Sequence, residues 1–355
     1  MMKLLKILFV LFLIVGCSRN QILEDLKIIE SLGYDLEEDK IKGSASFHVH
    51  YDVPAGAPVK LLTAESETAN GIFTTFTQQV QHPVAIGKTR TIIMGQPFAN
   101  EGIKDLIDTL VRDPIVESNA KIAISKEEAA EVLNLSMKFP PYYLSDVIEQ
   151  NITYGNTPKT NVHTVLNQFY GAGQDVYLPV LTIYESEKIM VDGLGIFKGD
   201  KLMMLLQDRE AFLFKIIKDK NISGTYEFIS KQKEKIFLKI MYGKRKISIK
   251  NTSQNPQVII KLDLFALIKD YPKSLDLSKR KDVKQLSKKI EKELSTKIER
   301  LLEEFKERQV DPVGFGDLIR SEKRDWTQDS FNNQYPNLEF EIETKVSFLQ
   351  KGVEG

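Results

Sequence analysis

The sequence predicts an α+β protein of more than one domain, and three observations carry this. Strand-like and helix-like apolar patterns alternate in the first half: Thr91-Ile92-Ile93-Met94 reads as a buried strand. Ile103, Leu106, Ile107, Leu110 and Val111 follow the spacing of one helical face. Strand patterns then crowd residues 224–267, and a long amphipathic helix pattern follows from Lys281 to Arg308. At 355 residues the chain is too long for one small domain. The expectation is a mixed sheet with helices in the N-terminal half. An antiparallel sheet plus the long helix is expected in the C-terminal half.

The elements follow in order. Gln21 to Leu32 reads as a short helix or strand leading in, and Gly43 to Val53 alternates as a strand. Pro54 to Pro58 is a turn, and Asn70 to Gln81 a helix with Phe73 and Phe76 on one side. The helix over Asn100–Arg112 stops at Asp113-Pro114, because proline disfavours helix in the residue before it. Ala120 to Ile124 is a strand. Ser125-Lys-Glu-Glu128 has the form of a capping box opening a helix through Leu133. Residues 134–175 carry little periodic pattern. Val176–Tyr184 and Ile189–Phe197 read as strands, as do Thr225–Ile229, Ile236–Met241, Lys246–Lys250 and Gln257–Phe265. Tyr242-Gly243-Lys244 reads as a hairpin turn between two of them. Asp311-Pro312 ends the long helix, and Leu338 to Phe348 alternates as a last strand.

Composition narrows the function. Hydrophobic residues make up 42% and charged residues 28%, the range of ordinary folded proteins. Forty-nine basic residues balance forty-nine acidic ones, which argues against a nucleic-acid partner. One Cys excludes a disulfide framework within the chain and a Cys-rich zinc site.

The position of that Cys is informative. Lys3 and Lys6 precede the apolar run Ile7–Val15, then Gly16 and Cys17, the layout of an export signal. Nine apolar residues in a helix rise only about 14 Å, far short of a membrane span. Ile14-Val15-Gly16-Cys17 resembles a bacterial lipobox. On that reading residues 1–16 are a cleaved signal peptide, and Cys17 carries diacylglycerol and an N-acyl lipid. More than one acyl chain makes a stable anchor. The mature body loses Lys3 and Lys6, so its formal charge moves from 0 to −2.

Several segments together resemble the Ger(x)C family of spore germination lipoproteins. The N-terminal ones are Cys17 followed by Gln21-Ile22 and Leu26, then Glu101-Gly102-Ile103-Lys104-Asp105-Leu106-Ile107 ending in Arg112-Asp113-Pro114. Leu178-Pro179-Val180-Leu181 and the run Gly193 to Leu202 come next. Gln309, Asp311-Pro312-Val313-Gly314-Phe315-Gly316 and Trp326 complete the set. Members often carry Trp-Asp after the lipid Cys, where this chain has Ser18-Arg19.

The resemblance implies the C subunit of a nutrient germinant receptor, tethered to the outer face of the spore inner or cell membrane. It implies assembly with an A subunit and an integral-membrane B subunit, with no enzyme activity. No cofactor beyond the lipid and no direct binding of the germinant are expected. The implied domains are 17–190 and 191–355, the latter with a possible division near 270. The alternative function is a substrate-binding lipoprotein of a membrane transporter, which should show two α/β lobes around a cleft.

Other residues carry weaker chemistry. His48 and His50 share one face of a strand, but no third ligand lies near in sequence, so no metal is expected. His82 and His163 have no recognisable companions. No Walker-type loop or Gly-x-Ser-x-Gly occurs. Gly171-Ala-Gly173 reads as a turn, and Gly193-x-Gly195 as a bulge or bend. The helix over 279–309 carries eleven Lys/Arg and seven Asp/Glu, so its charged face, or Lys231–Lys246, could lie near anionic headgroups. A solvated face with i,i+4 pairs is the plainer expectation. Phe315, between two glycines, is a candidate partner contact or equally a core plug.

Overall fold

Thr91 to Gly95 shows how the first half is built. Side chains on a strand alternate between faces. Ile92 and Met94 pack with helices on one side, whereas Ile93 packs with helices on the other. A sheet buried on both faces needs continuous apolar strands, which this segment supplies. In this computed structural model the described residues are 27–38, 40–47, 61–82, 84–112, 117–230, 233–250, 256–273 and 275–349. The signal and lipobox, His48-x-His50, the turn at Pro54–Pro58 and the Asp113-Pro114 stop lie outside them.

Nine strands form the first sheet: β1 (Lys27–Glu37), β2 (Lys40–Phe47), β3 (Leu62–Ser66), β4 (Val84–Ala85), β5 (Thr91–Gly95), β6 (Lys121–Ser125), β7 (Tyr177–Tyr184), β8 (Lys188–Lys198) and β9 (Lys201–Leu206). Their order is β3-β2-β1-β5-β6-β7-β8-β9, with β4 paired to β1. The centre, β1-β5-β6-β7, is parallel, and antiparallel hairpins flank it. One face is covered by α1 (Ala69–Gln79), α2 (Gln96–Glu101), α3 (Lys104–Arg112) and α6 (Val162–Tyr170). The other carries α4 (Ala129–Ser136) and α5 (Tyr143–Tyr154).

The second sheet has four strands in sequence order: β10 (Gly224–Ile229), β11 (Lys235–Lys250), β12 (Gln257–Asp270) and β13 (Glu339–Phe348). Its inner face packs on α8 (Arg280–Glu307), whose Leu286, Ile290, Leu294, Ile298 and Leu302 are buried. Short helices α9 (Phe315–Glu322) and α10 (Gln328–Gln334) return the chain to β13. Between the sheets lies α7 (Asp208–Lys218), buried at every position from Ala211 to Ile217. Its core cluster takes Tyr177, Leu194 and Ile196 from the first sheet and Val258, Ile260 and Leu262 from the second. β8 and β9 belong to the first sheet, so the sequence division at 190/191 falls inside β8.

Several local expectations change. The helix over Asn100–Arg112 is two helices, because Gly102 ends α2 at φ 147° and Ile103 donates its amide to Asp200 O at 2.9 Å. A Cβ at Gly102 would lie 2.8 Å from Asp200 Oδ2, so glycine permits this docking. The Ser125–Glu128 capping box does not form. Glu128 makes no side-chain cap, and Asp35 on β1 caps α4 instead.

Tyr242-Gly243-Lys244 is no turn. The register shift between Ile240 and Tyr242 marks a bulge in one continuous strand. Glycine eases the close pairing there, since a Cβ at 243 would meet Leu264 Cδ2 at 2.8 Å and Asp263 O at 3.1 Å. The C-terminal sheet is antiparallel over β10-β11-β12, but β13 runs parallel to β12. A parallel neighbour requires a crossover, and α8 to α10 supply it.

Candidate functional site

The segment after α8 makes a densely bonded joint with the region between α6 and β7. Glu307 ends the helix, and Gln309 turns the chain at φ 55°. Asp311, 3% exposed, then organises the loop that follows. Its Oδ1 accepts the amide of Gly314 and its Oδ2 that of Gly316, both at 2.8 Å. Aspartate is suited to this, because its short carboxylate reaches amides a few residues on. Gly314 sits at φ 87°, a left-handed conformation that favours glycine.

The loop docks on residues 173–175, between α6 and β7. Asp175 Oδ2 accepts the Asp311 amide at 2.6 Å, and the Asp175 amide donates to Asp311 O at 2.9 Å. Gly173 O accepts the Asp317 amide at 2.8 Å, and the Gly173 amide donates to Gln328 Oε1 at 2.9 Å. The two backbones nearly touch, since a Cβ on Gly316 would lie 2.7 Å from Gly173 Cα. Thus Gly171-Ala-Gly173, read from sequence as a simple turn, is one half of a contact between distant segments.

Charged side chains surround the joint. Lys218, at the end of α7, donates to Pro312 O at 3.0 Å and Val313 O at 3.1 Å. Its ammonium also lies 5.4 Å from the centre of the Tyr177 ring. Tyr335 donates its hydroxyl to Val310 O at 2.5 Å, and Lys198 lies 3.4 Å from Asp175 Oδ2. Burial pushes the Asp311 carboxyl up to about 6, against the pull of the amides it accepts. Burial lowers the Lys218 ammonium to about 8, against the attraction of Asp311. A cavity of about 90 Å³ lies among Asp175, Lys198, Asp311, Gln328 and Tyr335. That volume takes a few waters and is well below the several hundred Å³ of an ordinary ligand pocket. The arrangement is suited to holding the two sheets in one relative position.

A second buried cation supports the same region. Lys215, 1% exposed on α7, donates to Ile152 O at 2.8 Å and Gly155 O at 2.7 Å. It ties the end of α5 to α7. Asp219 accepts the Lys159 amide at 3.3 Å, and burial raises its carboxyl to about 6.

The other sequence-predicted residues fall as follows. Cys17 and its lipobox residues Ile14, Val15 and Gly16 lie outside the described residues. The Phe315 ring is fully buried and packs 5.4 Å, centre to centre, from Phe340. In the folded chain it is a core plug, and its ring presents no surface to a partner. His163 Nε2 lies 3.1 Å from Asn167 Nδ2 on the same helix. Among the described residues no group of three His, Cys, Asp or Glu is placed to hold a metal. The later half of α8 carries pairs, Lys297–Glu293, Lys306–Glu303 and Arg308–Glu304. Sequence reasoning missed Asp175, Lys215 and Lys218. The latter two had a signal: cations inside the apolar run Ala211–Lys218 must reach a polar partner if that run is buried.

The structure also brings the quoted sequence segments together in pairs. Glu101-Gly102-Ile103 docks on the Gly199-Asp200 turn, and Lys201 lies 3.8 Å from Glu101. Pro179 pairs with Leu194, and Leu178 with Gly195, across β7 and β8. The Asp311–Gly316 loop meets Gly173.

A mixed sheet with helices on both faces, coupled through such a joint to a smaller helix-backed sheet, matches known proteins. The family model "Spore germination protein N-terminal domain" matches residues 19–183. The model "Spore germination B3/ GerAC like, C-terminal" matches residues 192–352. The chain belongs to the GerAC-like family of spore germination proteins. Spore germination protein GerQC of Bacillus cereus is 27% identical over 356 residues, covering 97% of this chain and 99% of that protein. Putative spore germination protein YfkR of Bacillus subtilis (strain 168) is 22% identical over 230 residues, covering 57% of this chain and 56% of that protein. The crystal structure of the GerBC protein shares the fold, with a TM-score of 0.60 at 15% identity over 90% of this chain and 97% of that one.

Proposed function

We propose that this chain is the lipid-anchored C subunit of a spore nutrient germinant receptor. It works by assembling with an A subunit and an integral-membrane B subunit. The observation that carries the reading is the pair of spore germination family matches, which run from residue 19 to 352 and begin two residues after Cys17. A start of the match at residue 19 is compatible with an export signal over residues 1–16 and a lipid on Cys17. Among the described residues no helix is long and apolar enough to cross a membrane, which is consistent with attachment through Cys17. The Asp311 joint supports a role as a rigid adaptor, because it fixes two sheets that could each meet a different partner.

The test is Cys17→Ala in sporulating cells. Loss of the protein from the membrane fraction together with several-fold slower nutrient germination supports the reading. A soluble variant present at normal level with normal germination contradicts it.

A further inference from the structure

We infer that the outer face of the second sheet, along β11 and β12, is a docking surface for a membrane carrying anionic lipid headgroups. α8 covers the inner face of this sheet. On the outer face the register places Phe237 of β11 opposite Asp270 of β12, Lys239 opposite Leu267, Tyr242 opposite Phe265, Lys244 opposite Asp263 and Lys246 opposite Lys261. The bulge matters here. An extra residue between Ile240 and Tyr242 leaves Met241 and Tyr242 consecutively exposed, at 42% and 47%. Phe237 is 39% exposed, and Tyr242 stacks on Phe265 with ring centres 4.5 Å apart.

The apolar centre has a basic surround. Lys239, Lys244, Lys246 and Lys269 are exposed and make no ion pair among the described residues. The face also carries acids: Asp263 lies opposite Lys244, Asp270 opposite Phe237, and Lys261, opposite Lys246, is paired with Glu343 of β13 at 2.8 Å. Aromatic and Met side chains surrounded by lysines fit the boundary of an anionic leaflet. The rings enter the headgroup region, and each ammonium reaches phosphate while its stem stays in apolar surroundings. The basic early half of α8 offers charge alone, since its apolar stripe is consumed by the core. The sheet face is therefore the membrane side, and it orients a body already held at the surface. In that respect the inference rests on the Cys17 anchor.

The test uses the full lipidated chain in vesicles of phosphatidylglycerol or phosphatidylcholine doped with brominated lipid. Cys17 is the only cysteine, so Ser248→Cys, on the same face of β11, and Tyr184→Cys, on the first sheet, can each be labelled singly with a fluorophore. The expected result is at least two-fold stronger quenching at 248 than at 184 in phosphatidylglycerol, weakened in phosphatidylcholine. The Lys239→Glu/Lys244→Glu/Lys246→Glu variant should lose this difference. Lys281→Glu/Lys284→Glu/Lys288→Glu on α8, with the same change of charge, should keep it.

Equal quenching at both sites, or equal loss in both triple variants, overturns the docking surface. So does a label at 248 that lipid never quenches but that spore membrane proteins shield, which would make the face a protein contact. Flotation of the protein with the vesicles reads the anchor separately. Protein that floats without face-specific quenching overturns the face alone. Protein that does not float overturns the anchor, and quenching with vesicles in excess then still reads the face.

Discussion

Asp35 Oδ1 accepts the amide of Ala129 at 2.7 Å, and Oδ2 accepts that of Ala130 at 3.0 Å. A carboxylate on the first strand thus caps a helix 94 residues later, satisfying amides that have no partner within the helix. The geometry ties β1 to α4 across β5, and leaves Ser125 and Glu128 without the capping role their spacing suggests.

Replacing this carboxylate tests the cap. Asp35→Ala should destabilise the protein by about 1–3 kcal/mol, as loss of a buried cap and two orphaned amides requires. Asp35→Asn should cost less, because one oxygen remains to accept. Urea unfolding of the three proteins checks the order. Burial is the largest influence on Asp35, and it raises the carboxyl above its ordinary value.

The contact between Gly173 and Gly316 makes a second prediction. Gly316→Ala would push a methyl against Gly173 Cα, 2.7 Å from an ideal Cβ, and both sides of the contact are backbone. A loss of about 2 kcal/mol or more is expected, as for overpacking with no room to relax. Gly199→Ala is the control. Gly199 has φ 60° with nothing within 4 Å, so only the left-handed strain of about 1 kcal/mol applies. Thermal melts of both variants separate close packing from backbone conformation.

Asp311 and Lys218 give the joint a pH signature. A carboxyl raised to about 6 in the folded chain contributes stability below the unfolded value near 4, and that contribution is lost as pH rises through about 6. An ammonium lowered to about 8 works the other way. Its contribution is present above the unfolded value near 10.4 and is lost as pH falls through about 8. Asp311→Asn should therefore flatten the fall in stability between about pH 4 and 6. At pH 7 it should still be less stable by about 1–3 kcal/mol, because its amide nitrogen cannot accept the second backbone N–H. Denaturant midpoints across pH 4–8 read both effects.

Lys215 bridges two helices through carbonyls alone. Lys215→Met keeps the stem and removes the ammonium, leaving Ile152 O and Gly155 O without it. The expected cost is about 1–3 kcal/mol. Hydrogen exchange at the end of α5 should rise more than in α8, which Lys215 does not touch.

How much of this was legible follows from where each signal lay. The stripe of Leu286, Ile290, Leu294 and Ile298 is a local pattern, and α8 lies where that pattern places it, within a residue or two at each end. Strands β5, β6 and β7 were equally readable, since each is an apolar run between polar flanks. α7 was not, because a helix buried all round has no periodic face to show. α5 begins at Tyr142 in a left-handed conformation with no capping side chain, so no start signal announces it. The cap of α4, the break at Gly102 and the docking of Gly173 on Gly316 depend on partners 94 to 155 residues away along the chain, or on the fold that brings them there. Their residue types were visible as turn and cap formers, but their partners were not.

The most direct measurement of the central claim is a pull-down of the lipidated protein from spore inner membrane in mild detergent, followed by identification of what is retained. The receptor-subunit reading predicts A- and B-type germination proteins in near-stoichiometric amount, lost when Cys17→Ala removes the protein from the membrane. Recovery of the membrane-bound protein without either partner would contradict it.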